Sequence, residues 1–234
     1  MFDHIEIQSA PDLVGQKIQQ AIHLGIYGPG DRLPPEQQLA ANLGVSRMTV
    51  RDALHVLHAK GYVHSKRGPK GGWFITESMA AQSALRASLR ESLPYLNQIL
   101  DFRMVVEVAA ARFAAERRSL RHVEQMADAL EALERATDFS DFRRADSEFH
   151  LAVAVAARNP MLEKAVAEAR ITLFVLTDAV GFGVILQSTL KEHREILGAI
   201  QRENSPEAAE LMGKHIETTR QELYHILDNE GVAP

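Results

Sequence analysis

Residues 30–72 read GDRLPPEQQLAANLGVSRMTVRDALHVLHAKGYVHSKRGPKGG, and signals that start and stop helices alternate along this stretch at short spacing. Pro34 and Pro35 open a helix at its first turn, where a missing N–H costs nothing, and Gly44 ends that helix. Ser46 is placed to cap the free N–H groups of a second helix. Two short helices joined by a tight turn and followed by a basic hairpin predict a winged helix-turn-helix.

The second of these helices has one apolar face and one basic face. Its apolar positions recur at helical spacing and predict the buried stripe Val50, Ala53, Leu54 and Leu57. Arg47 and Arg51 are four residues apart and share the opposite face. A helix with two arginines near its N-terminus suits the major groove of DNA. Residues 62–65 and 73–75 predict two strands, which a loop rich in glycine and lysine joins into the wing.

Positive charge concentrates on this motif although the whole chain is acidic, with a formal net charge of −5. Residues 46–70 contain six Lys or Arg side chains against the single acid Asp52, a net charge of +5. A charged helix face is most often only a solvated surface. The concentration of one sign of charge on one motif of an acidic protein indicates instead a surface that meets phosphate.

The segment PGDRLPPEQQLAANLGVSRMTVRDALHVLHAKGYV resembles the N-terminal domain of GntR-type bacterial transcription regulators, and the resemblance extends over residues 9–76. It implies that the second helix enters the major groove and the wing tip the minor groove. It also implies DNA contacts from Ser46, Arg47, Thr49, Arg51, Arg67 and Gly68. We predict Lys66 as a further contact, to phosphate. Gln37 departs from the pattern, because many members of the fatty-acid-responsive branch carry arginine there, so the operator sequence does not follow from the family.

The rest of the chain is almost wholly helical in pattern. Its periodicity predicts helices near 95–117, 120–136, 139–157, 160–178, 183–203 and 206–229. The last of them begins with Ser205 as N-cap and Pro206 at the first helical position. Consecutive helices with short connections predict an all-α antiparallel bundle. The fold is therefore predicted as mainly α, with a winged-helix DNA-binding domain over 1–76, a linker over 77–92 and an effector- and metal-binding helical domain over 93–230.

Composition excludes several other classes of protein. The chain has 234 residues, enough to bury the cores of one small and one larger domain, and no cysteine. Disulfides, thiolate metal sites and thiolate nucleophiles are therefore excluded. The N-terminus MFDHIEIQSAPDL is acidic and lacks the apolar core of a signal peptide, and no apolar run approaches the length of a membrane span. We predict a cytoplasmic protein with no membrane partner.

A second group of candidate functional residues lies in the helical part. Asp146 and His150 are four residues apart in ADSEFH and share one helix face. His193 and His215 fall on apolar stripes, where a core is expected, and a lone histidine there is more often a hydrogen-bonded core residue than a ligand. Burial of one carboxylate and three imidazoles is costly unless they are paired, and one divalent cation satisfies all four. Asp and His ligands suit zinc, with nickel or manganese as alternatives, better than calcium.

The order of ILDFRMVVEVAAARFAAER, RRADSEFHLAVAVAARNP, LKEHREILGAI and MGKHIE resembles the ligand-binding domain, called FCD, of the FadR branch of GntR regulators, over residues 92–229. The positions that hold the ion in metal-binding members are filled here by Asp146, His150, His193 and His215. The resemblance also implies that Arg103, on the first bundle helix, meets the carboxylate of an effector. Glu107 lies one turn further on, so an ordinary intrahelical ion pair is the alternative for Arg103.

These features predict a homodimeric, metal-dependent transcription regulator that is not an enzyme. It would be a repressor that a small organic acid, such as a sugar acid, hydroxy acid or dicarboxylate, releases from double-stranded operator DNA. The acid's carboxylate would fill coordination positions that the protein ligands leave open. A metal sensor and a bundle with a purely structural ion remain alternatives. A metal-dependent enzyme is a weaker one, because the chain has a fused DNA-binding domain and no nucleophile or base motif.

Overall fold

The computed structural model describes residues 9–68, 71–76, 93–177 and 186–229. The chain divides into two compact units, Met1–Ser78 and Met79–Pro234. The segment predicted as a linker, residues 77–92, lies outside the described residues. Among the described residues, every helix is too short or too polar to cross a bilayer.

The first unit is a winged helix-turn-helix, as predicted. Its elements in chain order are α1 (Ala10–His23), α2 (Glu36–Leu43), α3 (Arg47–Ala59), β1 (Val63–Lys66) and β2 (Gly72–Ile75). The strands pair antiparallel, with Val63 opposite Ile75 and Lys66 opposite Gly72. The apolar faces of the helices and one end of the wing close over a common core, which includes the predicted stripe of α3: Val50, Ala53, Leu54 and Leu57.

The ends of α2 follow the sequence signals, with one correction. Gly44 ends the helix in the left-handed conformation, at φ 67°, which favours glycine because it has no Cβ. The prediction that Pro34 and Pro35 lie in the first turn was wrong. Pro35 is the N-cap, with ψ 145°, and the helix begins at Glu36. Helical backbone is disfavoured for a residue that precedes a proline, which is consistent with Pro34 lying outside the helix.

The second unit is the predicted all-α bundle. Its helices are α4 (Leu93–Arg117), α5 (Leu120–Glu134), α6 (Phe139–Ala156), α7 (Pro160–Thr177), α8 (Leu186–Gln201) and α9 (Ser205–Asn229). The central helix is α4, which packs against α6, α7, α8 and α9. Four alanines on α4 are buried, and their small side chains let neighbouring helices approach closely: Ala110, Ala111, Ala114 and Ala115. Residues that face the bundle interior from α6, α8 and α9 therefore meet near α4.

The start of α9 corrects the prediction that Ser205 is its N-cap. The helix already includes Ser205. The capping residue is Asn204, whose Oδ1 accepts a hydrogen bond from the backbone N–H of Glu207 at 3.3 Å. Asparagine and serine cap helices equally well, so the sequence alone did not discriminate between these neighbours.

Candidate DNA-binding surface and metal centre

The N-terminus of α3 is built around two hydroxyl side chains. Ser46 Oγ accepts a hydrogen bond from the backbone N–H of Thr49 at 3.0 Å, and lies 2.8 Å from Thr49 Oγ1. This is the predicted N-cap; Ser46 is exposed and Thr49 is half-buried. The first turn of α3 is thus held in place by local hydrogen bonds and presents the Ser46 hydroxyl on the outer surface.

Arg47 and Arg51 project from α3 as predicted, but they are not simply solvated. Arg47 Nε lies 3.0 Å from Glu36 Oε2, and Arg51 Nη2 lies 2.9 Å from the same oxygen. Trp73 Nε1 donates to Glu36 Oε1 at 3.4 Å. The hydrogen bond from Arg51 is the main reason why the pKa of Glu36 falls to about 2. Sequence analysis did not predict Glu36 as a site residue, because its partners are 11 to 37 residues away along the chain.

The wing carries the remaining predicted DNA contacts. Lys66, Arg67 and Gly68 are exposed at the end of β1. Lys66 Nζ lies 4.7 Å from the centre of the Phe74 ring, which holds the ammonium group over the outer face of the wing. Gly68 adopts φ 107°, a conformation that favours glycine. The structure thus places cations of the wing and arginines of α3 on the same small unit.

In the bundle, the four candidate metal ligands converge. Asp146 and His150 come from α6, His193 from α8 and His215 from α9. All four are buried, and one ligand atom from each lies within 4.8 Å of those of the others. The three imidazole rings surround a common centre, with ring centroids 4.7 to 5.1 Å apart. Residues separated by up to 69 positions in sequence thus form one cluster.

Polar groups behind the cluster orient several of its members. His150 Nδ1 lies 2.5 Å from Glu107 Oε2, and His215 Nδ1 lies 2.9 Å from Glu192 Oε2. A carboxylate behind an imidazole fixes its tautomer and leaves Nε2 for an ion, an arrangement typical of metal-binding histidines. Arg170 contacts Asp146 Oδ2, while the other oxygen, Oδ1, faces the histidines. Glu107, Glu192 and Arg170 were not predicted as site residues.

The inner atoms of the cluster have unused ligand capacity. Asp146 Oδ1 lies 3.7 Å from His150 Nε2 and 3.5 Å from His193 Nε2. Among the described residues, neither His150 Nε2 nor either ring nitrogen of His193 has a hydrogen-bond partner. Buried polar atoms without partners are rare and costly. One carboxylate and three imidazoles with such atoms fit a divalent cation.

Burial also sets the protonation state that metal binding needs. It lowers the pKa of His193 well below its usual value and that of His215 to about 4. Burial likewise lowers the pKa of His150, although Glu107 opposes this effect. The three imidazoles are therefore neutral near pH 7, and their lone pairs are available to a cation.

Arg103 lies at the edge of this cluster in a fully buried ion pair. Its Nε is 2.5 Å from Glu107 Oε1 and its Nη2 is 3.4 Å from Oε2, so the intrahelical alternative is present. Burial alone would raise the pKa of Glu107, but Arg103 and His150 hold it well below its usual value. Arg103 Nη1 has no hydrogen-bond partner among the described residues. Arg103, Glu107 and His150 thus form one chain that ends at a candidate ligand.

Comparison with known families identifies both units. The gntR family of bacterial regulatory proteins matches residues 12–75. The FCD domain matches residues 98–218, more than half of the chain. The chain belongs to the GntR family, with an FCD domain as its second unit. It is a bacterial DNA-binding transcription regulator and, as predicted, not an enzyme.

Individual GntR regulators support this assignment along most of the length. The Uxu operon regulator of Haemophilus influenzae is 29% identical over 226 residues, which are 93% of this chain and 83% of that protein. The galactonate operon transcriptional repressor of Escherichia coli is 29% identical over 200 residues, 81% of this chain and 86% of that one. The solved structure of E. coli McbR/YncC shares the fold, with a TM-score of 0.56 at 19% identity over 94% of this chain and 99% of that chain.

Proposed function

We propose that this GntR regulator is a metal-dependent repressor that a small organic acid releases from operator DNA. The observation that carries the proposal is the buried cluster of Asp146, His150, His193 and His215, with ring nitrogens that lack partners. The cluster lies in the FCD domain, and Arg103 is connected to it through Glu107. Buried polar atoms without partners are rare in a purely structural core, and a bound ion would satisfy these ring nitrogens.

Zinc is the proposed ion, with nickel or manganese as alternatives, because the donors are one carboxylate oxygen and three imidazole nitrogens. Asp146, His150, His193 and His215 would hold it. When bound, the ion supplies open coordination positions for a carboxylate and an adjacent hydroxyl. Arg170 would keep Asp146 turned with Oδ1 toward the ion, and Glu107 and Glu192 would keep two imidazoles in the metal-binding tautomer.

Arg103 is the proposed anchor for the carboxylate of the effector. Its guanidinium is buried, and Nη1 remains available as a donor after Glu107 has taken Nε and Nη2. Hydrogen bonds between guanidinium and carboxylate are charge-assisted and stronger than neutral ones. The names of relatives that regulate the Uxu and galactonate operons favour sugar acids as the class, with hydroxy acids and dicarboxylates as alternatives.

Release from DNA requires that the acid bind more tightly to a conformation with low DNA affinity, since a ligand shifts an equilibrium only by its differential affinity. We further propose a homodimer on a pseudo-palindromic operator, because one winged domain alone makes too few base contacts for selectivity. Within each chain, the proposed division of labour is DNA binding by residues 1–76, a linker over 77–92 and effector binding by 93–230.

Thermal shift measurements with sugar acids, hydroxy acids and dicarboxylates, each with and without metal, test the proposal. An acid that raises the melting temperature only of the metal-loaded protein, and that also dissociates the operator complex, is the expected result. If metal alone switches DNA binding, the protein is a metal sensor. If metal stabilises the bundle and no acid or metal changes DNA binding, the ion is purely structural.

A further inference from the structure

The carboxylate of Glu36 lies where three elements of the winged unit meet. It belongs to the first turn of α2, and it contacts Arg47 and Arg51 of α3 and Trp73 of β2. The Glu36 side chain is only 17% exposed, whereas that of Arg47 is 64% exposed and that of Arg51 39%. The Glu36 carboxylate is therefore held at the base of the surface, and the two arginines extend outward from it.

The three contacts leave the outer edges of both arginines available. Arg51 uses Nε and Nη2 toward Glu36, which leaves Nη1 and the second hydrogen of Nη2. Arg47 uses Nε alone in its contact with Glu36. In the major groove, guanine O6 and N7 accept hydrogen bonds from the two terminal N–H groups of a guanidinium. The contacts with Glu36 thus fix each guanidinium without consuming the edge that reads a base.

Glu36 also limits the positive charge of α3. Two arginines four residues apart on one helix repel each other, and a single ionised carboxylate between them offsets this repulsion. The three groups together carry a charge of +1 instead of +2. Since attraction to phosphate is independent of sequence, this partial neutralisation weakens binding to DNA of every sequence.

We propose that Glu36 is a positioning residue for sequence selectivity, which orients Arg47 and Arg51 toward base edges and reduces their attraction to phosphates. The inference rests on the DNA contacts predicted for these two arginines. The Trp73 N–H adds a third hydrogen bond from the wing, so the orientation of the carboxylate depends on the wing strand as well as on α2. Selectivity is then a property of α2, α3 and β2 together.

The test compares two DNA duplexes. One is enriched by the wild-type dimer from a random library, and the other is a scrambled duplex of the same composition. For Glu36→Gln we expect tighter binding to the scrambled duplex, with a salt dependence steeper by about one unit. We also expect the ratio of the two affinities to fall about tenfold, because one bidentate base contact supplies discrimination of this order.

Asp52→Asn is the matched control, since it removes one exposed carboxylate of α3 that acts on Arg51 through its charge, whereas Glu36 holds both arginines by hydrogen bonds. It should strengthen binding to both duplexes and leave their ratio unchanged. If it lowers the ratio as much as Glu36→Gln does, net charge alone explains the effect and positioning is contradicted. An unchanged ratio in folded Glu36→Gln would also overturn the proposal.

If Glu36→Gln does not fold, two further variants test whether Glu36 positions the arginines. Glu36→Asp keeps the charge but shortens the side chain, so it should lower the ratio without a change in salt dependence. Trp73→Phe removes one donor to the carboxylate and should lower the ratio by a smaller factor. Unchanged ratios in both would overturn the proposal. If the wild-type protein enriches no sequence at all, the predicted base reading by α3 fails, whatever the role of Glu36.

Discussion

At the scale of single residues, a hydrogen bond or ion pair to one polar atom of a side chain orients its other polar atom toward a ligand. Glu107 and Glu192 occupy Nδ1 of two histidines, and Arg170 occupies one oxygen of Asp146. The opposite atoms of His150 and Asp146 then face the centre of the cluster. On the DNA-binding surface, Glu36 occupies Nε of both arginines and leaves their ends available.

Arg51 and Lys66 should differ in how their loss affects DNA binding. If Arg51 reads a base bidentately, Arg51→Ala should lose about 1–3 kcal/mol of operator binding and relax the preference at one position. Lys66→Ala should weaken binding to all sequences alike and flatten the salt dependence. Titrations of operator variants at several salt concentrations separate the two. Unchanged operator affinity of the double variant Arg47→Ala, Arg51→Ala would contradict the docking of α3 in the groove.

The buried histidines should make the metal-free protein less stable in mild acid. Burial lowers the pKa of His215 to about 4, so between pH 6.5 and that value the unfolded chain binds a proton that the folded chain does not. The free energy of unfolding therefore decreases as pH falls, by about 1 kcal/mol for this residue between pH 6.5 and 5.5.

Urea unfolding of chelator-treated protein at these two pH values measures the effect. His215→Asn should unfold with a smaller difference between the two, because the titrating group is gone. A difference as large as that of the wild type would assign the pH dependence to other groups.

At the scale of elements, local signals determined most helix ends. The left-handed Gly44 and the Ser46 cap are read from single residues, and both are present in the structure. The cap of α9 was misassigned, since Asn204 and Ser205 are adjacent and equally suitable. Helical spacing also placed Asp146 and His150 on one face of α6. Periodicity gives such faces directly, because it depends only on neighbours along the same helix.

The cap of α3 links helix stability to DNA binding. Ser46→Ala should destabilise the winged unit by about 1 kcal/mol, the usual cost of losing a capping side chain. The variant should also weaken operator binding, because the Ser46 hydroxyl that it removes is a predicted DNA contact. Ser9→Ala is a suitable control, since Ser9 caps α1 in the same unit. It should cost similar stability in thermal unfolding and leave operator affinity unchanged; an equal loss of affinity would remove Ser46 from the DNA contacts.

At the scale of the whole molecule, contacts between residues distant in sequence could not be predicted from the sequence alone. Stripe positions suggested that His193 and His215 face a core, and the cluster they form with α6 is present. The groups behind the ligands were missed, as was the carboxylate between the arginines. Glu192 precedes His193 directly, yet nothing in a single helix pattern shows that it contacts His215. Such contacts depend on how helices pack, which periodicity does not specify.

Assembly is a further property of the whole molecule. The proposed function places two winged domains on two half-sites, so we expect sedimentation to show a dimer at micromolar concentration. The enriched operator should be a pseudo-palindrome whose half-sites have a fixed spacing. A stable monomer that binds a single operator tightly would contradict this expectation.

The metal content of the purified protein tests the central claim most directly. Protein prepared without chelator or affinity-tag metal should contain about one zinc, nickel or manganese ion per chain. His193→Ala should lose most of this ion, together with thermal stability and the response to the organic-acid effector. His122→Asn, which alters a bundle histidine outside the cluster, should retain the ion. DNA binding should persist at least in part in both variants. The account would be contradicted if the wild-type protein contained no metal and if added zinc, nickel or manganese did not change its stability. The histidines would then be core residues.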